Sequence, residues 1–298
     1  MRKLQLAGLL CLVLARGGLA QNSPAAFQLD QTMQRRYAAG DFNGTVLVAR
    51  QGKVIYERAF GLANREWSVP NDLETKFEIG SMTKQFTAVL VLQFVSEGKL
   101  RLDGHVSEYL PYYRQDTGKR ITISELLSHT SGLPSFTSIP GFLDGPASRV
   151  RYRVEEFVQK YCSGDLQFEP GTKFDYSNSG YFLLGAILER VSGETYEKLL
   201  RERIFGPLGM KNSGYSHSET VIEHRARGLR AFRIRIRKCA LLRHVDSVCR
   251  RRTLFDRKGS IVVGPGSLYR APVACSVAGP AIQTQLRRLR LRLGDVGT

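Results

Sequence analysis

One stretch of this chain leaves little freedom of conformation. From Gly80 to Phe94 it runs Gly-Ser-Met-Thr-Lys-Gln-Phe-Thr-Ala-Val-Leu-Val-Leu-Gln-Phe, with apolar residues at Met82, Phe86, Val89, Leu90 and Phe94. Steps of three and four residues are the period of a helix that buries one face. Ser81 and Lys84 stand at its mouth, and residues three apart share a helix face, so hydroxyl and ammonium can meet. A serine hydroxyl becomes an effective nucleophile when a base takes its proton and donors stabilise the resulting oxyanion. A helix N-terminus offers such donors, with the positive end of the dipole behind them. The plain alternative for this spacing is a helix-capping serine followed by a solvated lysine.

A second segment, Tyr176-Ser177-Asn178, favours the chemical reading. A tyrosine held near a lysine shares its proton more readily and is a plausible general base. An asparagine two residues on has a fixed donor and acceptor with which to orient a lysine or a substrate amide. The alternative is an ordinary turn ahead of the helix that starts near Tyr181.

With these motifs in order, the chain resembles the penicillin-recognising serine hydrolases: class C β-lactamases, D-alanyl-D-alanine carboxypeptidases and their esterase relatives. The resemblance runs from about Phe42 to Arg227. It includes the hairpin-like segment 44–56, the lead-in Phe77-Glu-Ile-Gly-Ser-Met-Thr-Lys84 and the segment Ile121-Thr-Ile-Ser-Glu-Leu-Leu-Ser-His-Thr-Ser-Gly-Leu-Pro134. Tyr-Ser-Asn and Ile204-Phe-Gly-Pro-Leu-Gly-Met210 continue it. The resemblance implies an α/β (α+β) fold of the β-lactamase/transpeptidase type: an antiparallel sheet flanked by helices, an inserted helical domain, and Ser81 at their boundary. It also implies Ser81 as acyl-enzyme nucleophile, Lys84 as its proton partner, Tyr176 as general base and Asn178 as a substrate-orienting amide. Either Lys84 or Tyr176 takes the first proton. The implied substrate is a β-lactam, a D-amino-acid peptide or a small ester, and no cofactor is implied.

The chain departs from that pattern toward its end. Of 44 Lys and Arg and 27 Asp and Glu, residues 225–298 hold 18 and 3, so nearly all of the +17 net charge lies there. Such a segment could contact phosphates or lipid headgroups, but Phe232, Phe255 and Tyr269 are its only aromatics, thin for a nucleic-acid platform. A frame change near codon 230 explains it differently. Codons can be chosen for residues 235–241 that, read one nucleotide further along, give G-Y-E-N-A-P-Y. The same slide turns residues 252–268 into A-L-Y-S-T-V-K-D-L-L-S-W-D-Q-A-L-Y, and both runs are family-like. A Lys/His-Thr/Ser-Gly or His-Gly-Gly segment, which in relatives supplies the second oxyanion donor, does not follow Tyr176. Without the further C-terminal strands that close the relatives' sheet, the hairpin near 44–60 is expected to have unpaired edges.

The expected organisation is a signal peptide at 1–20, a hydrolase domain at 21–224 that lacks the C-terminal part of its sheet, and the aberrant basic segment 225–298. Residues 1–14 are a short basic start and an apolar run, and Gly18-Leu-Ala20 supplies small residues for cleavage. An exported, periplasmic or extracellular monomer follows, without a membrane anchor once the signal is cleaved and without a nucleic-acid partner. Helices are expected at 27–37, from Ser81 to near Gly98, within 100–111, and at 124–128, 154–161, 180–192 and 196–205, with a hairpin at 45–60 turning at Gln51-Gly52. His129 reads as part of a structural turn, and Asp175 as a turn residue. His105, His217 and His224 lack metal-ligand spacing. Of five cysteines, Cys162 alone lies between the leader and the basic segment, so no disulfide is expected. The loop 137–146 is a plausible pocket edge. Three functions remain: a serine hydrolase, an inactive truncated remnant of one, and a basic binding module.

Overall fold

The computed structural model describes residues 23–217 and 219–227, with the backbone of 229–232, 235–238 and 253–255. The proposed signal peptide and most of the basic segment lie outside the described residues.

The first helix, α1 (Pro24–Ala38), starts where local chemistry asks for it. The Ser23 hydroxyl accepts the Ala26 N–H, and Pro24 sits in the first turn, where a missing amide costs nothing. A hairpin follows, β1 (Gly44–Arg50) and β2 (Lys53–Phe60), pairing Gly44 with Phe60. Its turn residues Gln51 and Gly52 both take positive φ, 51° and 76°, the primed-turn geometry that suits the strand twist. Among the described residues this sheet has two strands. α1 is tied to it by Asp30, which accepts the Tyr56 O–H at 3.0 Å and pairs with Arg58. An open groove of about 630 Å³ between them is lined by none of Ser81, Lys84, Tyr176 and Asn178.

Two short strands, β3 (Leu62–Asn64) and β4 (Val69–Pro70), pair with each other, and β5 (Phe77–Glu78) leads into a 3-10 turn at Gly80–Met82. That turn runs directly into α2 (Thr83–Ser96). Next come α3 (Val106–Tyr109), α4 (Gln115–Gly118) and α5 (Ile123–Ser128). α5 carries a capping box: Glu125 N–H donates to Thr122 Oγ1 and Thr122 N–H to a Glu125 carboxylate oxygen. Then follow α6 (Val154–Tyr161), α7 (Asn178–Ser192) and α8 (Tyr196–Leu200), the last continued by a π turn, Arg201–Phe205.

α7 is the central post. Every residue from Ser179 to Leu188 is buried, as a helix apolar all round requires, and α2, α3, α5, α6 and α8 pack on it. Phe136, Phe142, Phe157, Phe182, Tyr152 and Tyr161 form an aromatic cluster beside it. Phe157 stacks on Phe182 at 4.4 Å and meets Phe136 edge-on at 5.1 Å. Phe157 is fully buried, so Phe157→Ala should cost about 3–5 kcal/mol, read as a fall in the urea midpoint.

The chain ends its described course along the first strands. Lys76 N–H donates to His224 O, Ala226 N–H to Lys76 O and Arg227 N–H to Ala63 O. The Arg225 guanidinium pairs with the mostly buried Glu78 carboxylate. β6 (Gly214–Tyr215) precedes this segment; β7 (Leu229–Phe232) and β8 (Arg235–Lys238) pair with each other, and β9 (Thr253–Phe255) lies between β5 and β6.

The helices expected from the sequence are present, those at 154–161 and near 180–192 within two residues. α4 and the 3-10 turns were not anticipated, because four residues are too few to show a helical period. The expected sheet is seen as the β1–β2 hairpin and ribbons of two or three strands. Cys162 is buried and forms no disulfide among the described residues.

Candidate active site

Ser81 lies in the middle of the 3-10 turn ahead of α2, exposed at the surface. Gly80 takes φ 53°, which lets the chain turn sharply from β5 into the helix. The plain reading of a capping serine and a solvated lysine does not hold. The cap position of α2 is Met82, which makes no side-chain cap bond, and Lys84 is only 8% exposed.

Lys84 Nζ is held by three kinds of partner. It donates to Asn178 Oδ1 at 2.8 Å and to Ser81 Oγ at 3.3 Å. It also lies 4.8 Å from the ring centre of Tyr176 and 5.6 Å from that of Tyr181, where aromatic faces attract a cation. Tyr176 O–H donates to Ser81 Oγ at 2.8 Å. The four residues singled out in the sequence therefore meet, although Tyr176 and Ser81 are 95 residues apart in the chain.

Their meeting depends on how α7 begins. Ser177 caps it, accepting the Gly180 N–H, which fixes Asn178 in the first turn and Tyr176 just outside it. Both amide donors of Asn178 are taken by protein. Its Oδ1 accepts from Lys84, its Nδ2 donates to Thr137 Oγ1 at 2.9 Å and Ser135 Oγ at 3.3 Å, and its backbone N–H donates to Ser135 Oγ at 3.1 Å. Asn178 orients Lys84, and the second lone pair of its Oδ1 is the acceptor a substrate amide N–H could use. Ser135 and Thr137 were not foreseen as part of the cluster. Two hydroxyl residues in a loop carry no sequence signal of the amide they will meet some forty positions later.

The turn after α5 supports the same cluster from below. Asp175 N–H donates to His129 O, Gly171 N–H to Thr130 O and Gln167 N–H to Gly132 O. Gly132 has φ 72°, and a Cβ there would sit 2.3 Å from the Phe168 carbonyl oxygen, so no other residue fits. The His129 imidazole packs against Tyr176 at 4.5 Å and Tyr181 at 4.9 Å, tilted by 34° to each ring. Burial, and then the charge of Lys84, lower its pKa to about 4, so it is neutral at neutral pH. His105, His217 and His224 each face a carboxylate, of Glu108, Glu197 and Asp72 respectively.

Comparison with known proteins bears on the fold and the family. Residues 29–239 match the family described as Beta-lactamase. "Protein flp" of Staphylococcus aureus (strain N315) is 30% identical over 206 residues, covering 67% of this chain and 40% of that protein. The chain spans about two fifths of the length of the curated relatives it matches. The penicillin-binding protein of Bacillus halodurans superposes with a TM-score of 0.65 at 28% identity, covering 76% of this chain and 68% of that one. The D-amino acid amidase of Ochrobactrum anthropi SV3 gives a TM-score of 0.66 at 26% identity, covering 77% and 68%. With the family match over residues 29–239 and a β-lactamase/transpeptidase-like fold that brings Ser81 and Lys84 at the head of α2 together with Tyr176 ahead of α7, the chain belongs to the beta-lactamase family of serine hydrolases and penicillin-binding proteins.

Proposed function

We propose that this chain is a serine hydrolase that forms an acyl-enzyme on Ser81. The observation that carries the reading is the convergence of Lys84 Nζ and Tyr176 Oη on one hydroxyl oxygen. Ser81 Oγ attacks the substrate carbonyl carbon and its proton passes to the Tyr176 oxygen or to Lys84 Nζ, whichever is unprotonated. The tetrahedral oxyanion forms beside the N-terminal turn of α2, where backbone N–H groups and the helix dipole favour negative charge. The intermediate collapses, the leaving amine or alkoxide takes the proton, and Ser81 is left as an ester. Water then attacks the ester and gives a proton to the same base; collapse expels Ser81 Oγ, which takes that proton back, and the carboxylic acid leaves. A positioned acid–base group of this kind contributes about 10²–10⁴ in rate.

The substrate is a β-lactam, a D-amino-acid peptide or amide, or a small ester; the likeness to a penicillin-binding protein and a D-amino acid amidase supports an amide. Hydrolysis of a chromogenic cephalosporin, a D-phenylalanine amide and a p-nitrophenyl ester, compared at equal enzyme concentration, tests it. Turnover of at least one, lost in Ser81→Ala, is expected. A folded chain that hydrolyses none of them would remove the proposal.

The absence from the sequence of a Lys/His-Thr/Ser-Gly type segment after Tyr176 favours a second reading, an inactive truncated remnant. Loss of one oxyanion donor alone slows acyl transfer about 10²–10³-fold. We attribute the basic segment to a change of reading frame near codon 230. Sequencing the coding DNA from codon 220 to the stop should reveal one inserted or lost nucleotide; an intact frame together with a matching protein mass would contradict it. In this reading the working enzyme is exported after removal of residues 1–20 and acts as a monomer on a small molecule or peptide.

A further inference from the structure

We infer that His129 is a positioning residue that holds Tyr176 against Ser81, and that it does so only as a neutral imidazole. The inference rests on the reading of Ser81, Lys84 and Tyr176 as the reacting cluster. His129 grips the tyrosine's segment at three consecutive residues. Its carbonyl accepts the Asp175 N–H at 2.8 Å, its ring packs against Tyr176 at 4.5 Å, tilted by 34°, and its Nδ1 accepts the Ser177 N–H at 3.1 Å. Phe174 meets the same ring edge-on at 5.9 Å, and Tyr181 of α7 lies 4.9 Å from it.

The backbone makes this grip possible. His129 ends α5 in the left-handed conformation, φ 60° and ψ 36°, which turns its side chain and carbonyl toward the same strip of chain. Tyr176 is 42% exposed; besides His129, the Lys84 ammonium 4.8 Å from its ring centre and the bond of its O–H to Ser81 Oγ hold it. The phenol oxygen must stay within hydrogen-bond reach of Ser81 Oγ for a proton to pass, and small misplacements of a reacting group cost about 10²-fold in rate.

The neutral form is required by the hydrogen bond itself. A protonated imidazole carries a proton on each nitrogen, so Nδ1 would confront the Ser177 N–H donor to donor. Lys84 on α2 is the charged group that bears on the ring; the return segment presents Asp175 through its backbone N–H and Tyr176 through its ring, and α7 presents Tyr181. A second cation beside Lys84 is disfavoured, and burial adds to that, which keeps the imidazole neutral down to about pH 4. The hold on Tyr176 is therefore retained above that pH and lost as pH falls through it.

Three variants and two readouts test this in the full chain. His129→Asn tolerates the left-handed backbone and keeps an acceptor oxygen near the Nδ1 position; His129→Phe keeps a ring without the acceptor; His129→Ala keeps neither. Labelling of Ser81 by a fluorophosphonate should slow about 10²-fold in the Ala variant and be largely restored in the Asn variant. NMR of the ¹⁵N-labelled imidazole should show an unprotonated Nδ1 at neutral pH, with a transition near pH 4. The Tyr176 ring signals should move with that transition in the wild type and lose it in His129→Asn. Equal labelling of wild type and folded His129→Ala would overturn the inference, as would Tyr176 signals indifferent to the state of His129. If the wild type is not labelled at all, the hydrolase reading fails, and the NMR result alone still decides whether His129 holds Tyr176.

Discussion

Ser81→Ala will abolish covalent labelling and lower any turnover by about 10⁶-fold, the scale seen when an acyl-transfer enzyme loses its nucleophile. The size of the effect follows from the site. Lys84 Nζ and Tyr176 Oη both reach Ser81 Oγ, and removing that oxygen leaves no atom for either to activate. The fold should be untouched, because Ser81 is exposed and its side chain does not cap α2. Unchanged thermal unfolding with lost reactivity is the expected pair of results, measured on the same preparation by calorimetry and active-site labelling.

Lys84→Met should lower the labelling rate by about 10²–10⁴-fold. Methionine keeps much of the lysine stem's length and apolar character but has no proton to give or take. The exchange removes the donor to Ser81 Oγ and strands Asn178 Oδ1, whose other amide contacts, to Ser135 and Thr137, remain. Asn178 is only partly buried, so losing that donor costs less than the about 1–3 kcal/mol of a fully buried acceptor, and the loss is offset in part because an ammonium that is only 8% exposed no longer has to be desolvated. The kinetic loss should therefore far exceed the change in stability. Lys84→Arg should not restore activity, since the guanidinium stays protonated and is too broad for a pocket shaped to one nitrogen. Stopped-flow labelling of the three proteins, alongside their urea midpoints, separates the two effects.

The parts of this architecture legible in the sequence are those with a local period or a compact motif. The helix after Ser81 declares itself through Phe86, Leu90 and Phe94, and all three are buried where that period places them. Gln51-Gly52 announces its turn because few dipeptides accept two positive φ values in succession. Tyr176 and Asn178 are legible together with Ser81 and Lys84, but the residues that support them are not. The Ser135 and Thr137 hydroxyls and the His129 ring acquire roles only when α7 brings Asn178 and Ser177 back to them. His129 was read as a structural turn residue, and the left-handed turn is there; its contact with Tyr176 belongs to the tertiary fold. The sheet was the least legible element. Beyond Arg227 the stretch 230–238 alternates like a strand but crowds its arginines on one side, and the described strands there, β7, β8 and β9, are three or four residues long.

The measurement that bears most directly on the account is intact-protein mass spectrometry after incubation with a fluorophosphonate, followed by peptide mapping of the adduct. One adduct per chain, on the peptide that contains Ser81, is predicted. A folded protein that remains unmodified, or one modified at any other residue, would contradict the assignment of Ser81 as the nucleophile.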